Sequence, residues 1–219
     1  MLFHYSIQEI ALLVPCVLLA LMLHELAHGW AAYLLGDETA KEAGRLSFNP
    51  LRHLDPIGTL CMLLAGVGWA KPVPVNPNRF HIRNRKFGVA LTGAAGPLCN
   101  FILAFVSLLA YGVWMIRSGG EMPQSAVTAL TMFAGLNIGL GAFNLIPVPP
   151  LDGSRILLPF LPDKAALFLH RYERYIGMVF FLLLITDLLD GPIGAVRGAI
   201  ADRIVALAFG LARLLGGAA

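Results

Sequence analysis

From Ile10 to Gly36 the only formally charged side chain is Glu25. A helix over these 27 residues would be about 40 Å long, against about 30 Å for the hydrocarbon core of a bilayer. Two more uncharged runs follow, Phe87 to Ile116 and Met122 to Leu151, each 30 residues long. Charged residues make up 13% of the chain, about half the usual share in soluble proteins, which is roughly 25%. A soluble domain could not hide that much apolar surface from water, and a disordered chain would carry far less of it. Lipid is the expected solvent for most of these 219 residues.

Shorter segments complete the outline. Tyr175 to Thr186 is an uncharged run closed by Asp187 and Asp190, and it needs flanking residues to span. Residues 57–70 are too short to span and are bounded by Pro56 and Pro72, which suits a re-entrant or interfacial segment. Residues 199–215 carry Asp202, Arg203 and Arg213, as an interfacial helix or a further span would. The expected fold is an all-α polytopic membrane protein with four to six transmembrane helices. A small re-entrant or β element lies between the first and second long spans. Residues 1–219 read as one membrane-embedded domain, with a core over 10–160 and C-terminal helical segments over 161–219. The N-terminus has no basic region or small-residue cleavage site, so the first apolar segment is expected to be retained.

Basic residues favour the cytoplasmic side. Residues 37–86 carry Lys41, Arg45, Arg52, Lys71, Arg79, Arg83, Arg85 and Lys86, and residues 152–174 carry Arg155, Lys164, Arg171 and Arg174. The connection between the second and third spans has Arg117 alone. Both basic connections therefore fall inside and the N-terminus outside. A net charge of +3 with no basic run interleaved with aromatics argues against a nucleic-acid partner. Cys16, Cys61 and Cys99 form no CxxC pair and read as buried apolar residues.

Within the first span, His24-Glu25-Leu26-Ala27-His28 is an HExxH motif. Residues at i and i+4 share a helix face, so both imidazoles reach one ion, while Glu25 reaches a water bound to it. Zinc suits two imidazoles and lowers the pKa of bound water to about 7, and Glu25 is the candidate general acid/base. Chance gives about 0.004 such motifs in a chain of this composition. An ionisable group at the bilayer centre also costs at least about 2.5–3.5 kcal/mol, so a purely structural role is expensive.

A catalytic zinc takes a third protein ligand. His4, His53, His81 and His170 lie in polar or boundary segments, and the acids beside apolar runs are Asp152, Asp187 and Asp190. Asp152 follows a proline-broken stretch, Asn144-Leu145-Ile146-Pro147-Val148-Pro149-Pro150-Leu151, and precedes Gly153. Unwound backbone at membrane depth is tolerated where it is buried in protein or lines a wet cavity. The loop charges put this break at the same side as the HExxH motif, and Asp187 and Asp190 at the other. An ordinary Asp-Gly turn at the interface would use the same residues.

These segments resemble the site-2 protease family of intramembrane zinc metalloproteases, in its compact prokaryotic type without a PDZ domain. The matching pieces are His24 to Gly29, Asn144 to Gly153 and Ala95-Gly96-Pro97-Leu98-Cys99-Asn100. Gly44 to Pro50, His53 to Pro56 and Trp69 to Pro77 add to the likeness, which covers roughly residues 10–160. The resemblance implies one Zn2+ per chain held by His24, His28 and Asp152, with Glu25 as general acid/base. It places Asn100 near the site, for substrate or oxyanion binding or as a cap after Gly96-Pro97. Asn144 is a candidate support for the Asp152 loop. His53, with Asp55, is a candidate support of the site or of a turn. The expected partners are transmembrane protein substrates in a lipid bilayer. The expected location is a prokaryotic plasma membrane, with the site toward the cytoplasm. Extended stretches at Arg45–Asn49 and Lys71–Val75 are candidates for capturing an unwound substrate by strand addition. The alternative is a non-proteolytic metal-ion transporter or sensor with the same ligands. It would need more ionisable groups through the outer half of the spans, and none occurs between Ile10 and Leu23. The sequence does not specify an oligomeric state.

Overall fold

The computed structural model describes residues 7–55, 58, 70–186 and 188–217. The segment expected to re-enter over 57–70 lies outside the described residues apart from Gly58 and Ala70, as do His4, Cys61 and Asp187. The described residues form α1 (Ile7–Leu34), α2 (Thr39–Glu42), α3 (Arg85–Arg117), α4 (Gln124–Asn144), α5 (Asp152–Leu157), α6 (Asp163–Ile185) and α7 (Asp190–Gly216). No β-strand occurs among them, and a single antiparallel bridge joins Leu54 to Ala70. Three helices are long and apolar enough to cross a membrane: Ile10–Leu34 of α1, all of α3, and all of α4.

Helix α3 is the centre of the bundle and packs on α1, α4, α5 and α7. Its start is capped by Asn84, whose side chain accepts from the Phe87 amide. The α3–α4–α7 core joins Ala104 and Leu108 to Ala134 and Ile138 and to Ile204 and Ala208. Small residues at helical spacing let these backbones approach, as membrane bundles require. On α7, Ile204, Ala208, Ala212 and Gly216 recur every four residues and are all buried. A Cβ on Gly112 would stand 2.8 Å from that of Ala212, and one on Gly216 would stand 2.8 Å from Ile116.

These contacts fix the directions. α1 runs antiparallel to α3, with the Leu23 carbonyl beside Cys99 and the His28 ring beside the Thr92 carbonyl. α4 returns antiparallel to α3, with Ser107 donating to the Leu130 carbonyl. α7 runs parallel to α3, and its last turn meets the end of α3 where Arg117 donates to the Leu215 carbonyl. Helix α6 departs from the course expected of a spanning segment over 175–186. Its first residue, Asp163, pairs with Lys86 at the start of α3 at 2.6 Å. The helix that follows it sets off from that same end, because α7 is parallel to α3. α6 therefore lies across one end of the bundle rather than along it. Gly177 sits against Pro150, and Phe180 lies 6.0 Å from Phe143.

The connection from α1 to α3 is pinned at that end too. Asp37 is fully buried and accepts from the amides of Thr39 and Asn76. The His81 amide donates to the Leu35 carbonyl. Both basic connections are thereby gathered around the same end of the bundle.

Candidate metal centre

His24 and His28 lie one turn apart on the face of α1 that meets α3, and both are buried. The break after α4 turns through Leu145–Leu151 and delivers Asp152 as the first residue of α5. Gly153 permits this turn, since a Cβ there would sit 2.3 Å from the Leu145 carbonyl oxygen. Nε2 of His24 lies 3.2 Å and Nε2 of His28 3.1 Å from Oδ2 of Asp152, and the two Nε2 atoms are 3.1 Å apart. The residues that the sequence placed 124 positions apart, His28 and Asp152, thus meet at one point.

The protons of the two imidazoles are accounted for elsewhere. Nδ1 of His28 lies 2.7 Å from the Thr92 carbonyl, which only accepts, so Nδ1 carries the hydrogen. Nδ1 of His24 donates to Oδ1 of Asn100 across 2.6 Å. In the neutral imidazoles both Nε2 atoms then present lone pairs, and so does the carboxylate. Oδ2 of Asp152 is buried with no hydrogen-bond donor. Three lone-pair atoms face one another with no proton between them, which is unfavourable unless a cation lies among them. A tetrahedral zinc with bonds of about 2.0 Å sets its ligands about 3.3 Å apart, close to the observed edges. The donor set fits zinc.

Space for the ion is made by α3. A Cβ on Gly96 would lie 2.4 Å from Nε2 of His28 and 2.6 Å from Cε1 of His24, so only glycine lets α3 pass here. Arg155 brings a guanidinium within 4.0 Å of the other Asp152 oxygen. Glu25 projects to the side, where the Val73 amide donates to its Oε2 at 2.9 Å. Val73 is buried, while Pro72 and Pro74 on either side of it are exposed. A cleft of about 400 Å³ opens beside the centre, with Thr92, Gly93, Arg155, His170 and Glu173 in its wall. A larger, apolar groove of about 820 Å³ runs between residues 142–148, α6 and the start of α7, with Phe168 and Tyr175 in its wall.

The other residues singled out in the sequence fall around this centre in different ways. Asn100 is fully buried, and its amide is engaged by His24 on one side and by Asn137 on the other. The Asn144 side chain donates back to the Leu140 carbonyl of its own helix. His53 is buried away from the ligand cluster, and its Nε2 donates to the Ser47 carbonyl. Its own carbonyl accepts from the Lys71 amide, so it ties the two arms of the long connection together. Asp55 accepts from the Gly58 amide. Arg45 donates to the Lys71 carbonyl, a second tie between Arg45–Asn49 and Lys71–Val75 in the absence of a strand pair. Sequence reasoning passed over Thr92, Asn137 and the Val73 amide. Asn137 and Thr92 left a trace only as polar residues inside uncharged spans.

The chain is similar to known proteins. The family described as Peptidase family M50 matches residues 109–186, which include Asp152. The chain is 42% identical over 189 residues to "Putative zinc metalloprotease YwhC" of Bacillus subtilis, covering 84% of this chain and 85% of that one. It is 28% identical over 181 residues to "Putative zinc metalloprotease Rip2" of Mycolicibacterium smegmatis, covering 79% and 66% of the two chains. It is 29% identical over 154 residues to "Zinc metalloprotease MJ0392" of Methanocaldococcus jannaschii, covering 70% of this chain and 35% of the relative. No solved structure matches the chain. With 42% identity over most of both chains, this protein belongs to peptidase family M50, the site-2 protease type of zinc metalloprotease.

Proposed function

We propose that this zinc metalloprotease hydrolyses peptide bonds within or near the transmembrane segments of membrane proteins, with His24, His28 and Asp152 as metal ligands and Glu25 as general acid/base. The observation that carries the reading is the convergence of three ligand atoms, one of them a buried carboxylate oxygen without a donor, beside an acid inside an apolar helix. When bound, zinc supplies Lewis-acid polarisation of the scissile carbonyl and acidifies water. The chain's own residues do the rest. Asn100 and the Thr92 carbonyl orient the two imidazoles. Glu25, held on one oxygen by the Val73 amide, takes the proton of the attacking water and passes it to the leaving nitrogen. The cleft lined by Arg155, His170 and Glu173 is the path for water.

A helical substrate ties up its own amides and must be unwound before cleavage. Pro72 and Pro74 lack N–H groups and leave carbonyls on the Lys71–Val75 stretch, which suits capture of an extended substrate next to Glu25. The apolar groove against α6 suits approach from the lipid. In this reading residues 1–219 form one domain, α7 is a fourth crossing beside α3, and the basic end of the bundle, with the metal centre, faces the cytoplasm of a prokaryotic cell.

The test uses the full chain in proteoliposomes with a single-span helical substrate. Glu25→Gln should keep one zinc and lose cleavage. Cleavage at the normal rate in that variant would refute the assignment of the base. Stoichiometric zinc after Asp152→Ala would move the third ligand elsewhere.

A further inference from the structure

Asn137 is completely buried on α4, a helix without a charged side chain. A primary amide at that depth is costly unless its polar atoms are bonded. Its Nδ2 donates to the Phe133 carbonyl one turn back in α4, at 2.8 Å. Its Oδ1 accepts from Nδ2 of Asn100 on α3, also at 2.8 Å. Oδ1 of Asn100 in turn lies 2.6 Å from Nδ1 of His24 on α1. Three helices are thus threaded by one row of hydrogen bonds.

The row has a direction. A backbone carbonyl accepts and never donates. Asn137 must therefore turn its NH2 toward Phe133, which leaves its oxygen for Asn100. Asn100 must then donate to Asn137, which leaves its own oxygen for His24. An oxygen at that place accepts only from a protonated Nδ1. The Phe133 carbonyl, by way of two amides, decides which nitrogen of His24 carries the proton.

We propose that Asn137 is a positioning residue of the metal centre: acting through Asn100, it holds His24 in the Nδ1–H tautomer and so keeps the Nε2 lone pair turned toward His28 and Asp152. The inference rests on His24 being a metal ligand. Without Asn137 the Asn100 amide is free to turn over and donate to an unprotonated Nδ1. The proton then resides on Nε2, and that tautomer offers no Nε2 lone pair toward His28 and Asp152. His28 has no such dependence, because its Nδ1 partner is the main-chain carbonyl of Thr92. One ligand is set by backbone and the other by a side-chain relay, and this difference makes the relay testable.

The test uses the full-length, metal-free protein, 15N-labelled at histidine and held at alkaline pH so that both imidazoles are neutral, with Asn137→Leu as the variant of similar size. The ring nitrogen shifts of His24 should move from the pure Nδ1–H pattern to a mixture, while those of His28 stay. Zinc affinity by chelator competition should fall about 10–100-fold, the usual cost of losing an outer-shell partner. Asn100→Asp supplies a second arm, since a carboxylate accepts at either oxygen and needs no relay to orient it. In that background Asn137→Leu should change zinc affinity by no more than about twofold. An unchanged His24 tautomer overturns the proposal, as does an equal change at both histidines or an equal loss in both backgrounds. If Asn137→Leu does not fold, Asn137→Ala removes the same two bonds with less bulk and carries the same expectations. His24→Ala separates the two readings: stoichiometric zinc in that variant removes the ligand assignment itself, whereas lost zinc there with an indifferent Asn137→Leu removes only the relay.

Discussion

The Val73 amide donates to Oε2 of Glu25 at 2.9 Å, so the acid of the HExxH motif is held by a loop 48 residues further along the chain. The bond engages one of the two carboxyl oxygens. Hydrogen bonds to charged groups contribute about 1.5–3 kcal/mol.

Val73→Pro removes that N–H and no side-chain ligand of the centre. Turnover of a helical substrate should fall by about 10-fold or more if the bond is needed in the transition state. Zinc content should stay at one per chain. Metal analysis beside initial rates checks this, and an unchanged rate would show that the loop does not position Glu25.

Gly96→Ala places a methyl group where the His28 ring now lies, 2.4 Å from its Nε2. The methyl group would also stand 2.6 Å from Cε1 of His24, so both imidazoles must shift, and the shift is expected to part them from Asp152. Bound zinc should drop well below one per chain, with helix content by circular dichroism preserved. Gly139→Ala is the control, because a Cβ there meets nothing within 4 Å. Full zinc occupancy in Gly96→Ala would show that the helices part more easily than this packing implies.

The half of the centre built on α1 was legible because it is local: the i, i+4 spacing puts His24 and His28 on one face whatever the tertiary fold. Asp152 was reachable through its proline-broken setting and family likeness, since nothing local to it says that it meets α1. Asn137 was not legible, because its meaning depends on facing Asn100, and that register is set by small-residue packing between α3 and α4. Asn100 illustrates the same limit. Its proximity to the site could be expected, but not that both ends of its amide would be engaged. The course of α6 was hidden for a different reason. An apolar run records a preference for lipid but not a direction, and the direction comes from the Lys86–Asp163 contact and the parallel packing of α7 on α3.

Asp37 gives a pH-dependent prediction outside the membrane spans. Burial alone would raise its carboxyl, but the hydrogen bonds from Thr39 and Asn76 and the charge of Arg79 outweigh that and hold it below its ordinary value. A depressed folded value means that the stabilisation is fully present above the unfolded pKa of about 3.9 and is lost as pH falls through the folded one. The loop around Asn76 should therefore stay protected at neutral pH and open only in acid. Asp37→Asn should open it at pH 7, with a cost of about 1.5–3 kcal/mol for the lost charge-assisted bond. Hydrogen exchange of the Asn76 amide, corrected for intrinsic rates, reads both effects. Equal protection in the two proteins at pH 7 would remove Asp37 as the clamp.

The directions of α6 and α7 predict a topology that differs from one in which each C-terminal helix crosses in turn. α6 begins at Lys86 and leads into a helix that starts from the same end of the bundle, whereas the α7 C-terminus meets Arg117 at the other end. Single cysteines at Lys164 and Leu188 should then label from one face of sealed vesicles, and cysteines at Ser118 and Gly217 from the opposite face. The cysteine-free background requires replacing Cys16, Cys61 and Cys99, all within apolar stretches, where Ala or Ser is a modest change. If Lys164 and Leu188 labelled from opposite faces, α6 would cross the bilayer. The apolar groove between it and residues 142–148 would then sit within the span instead of at the end of the bundle.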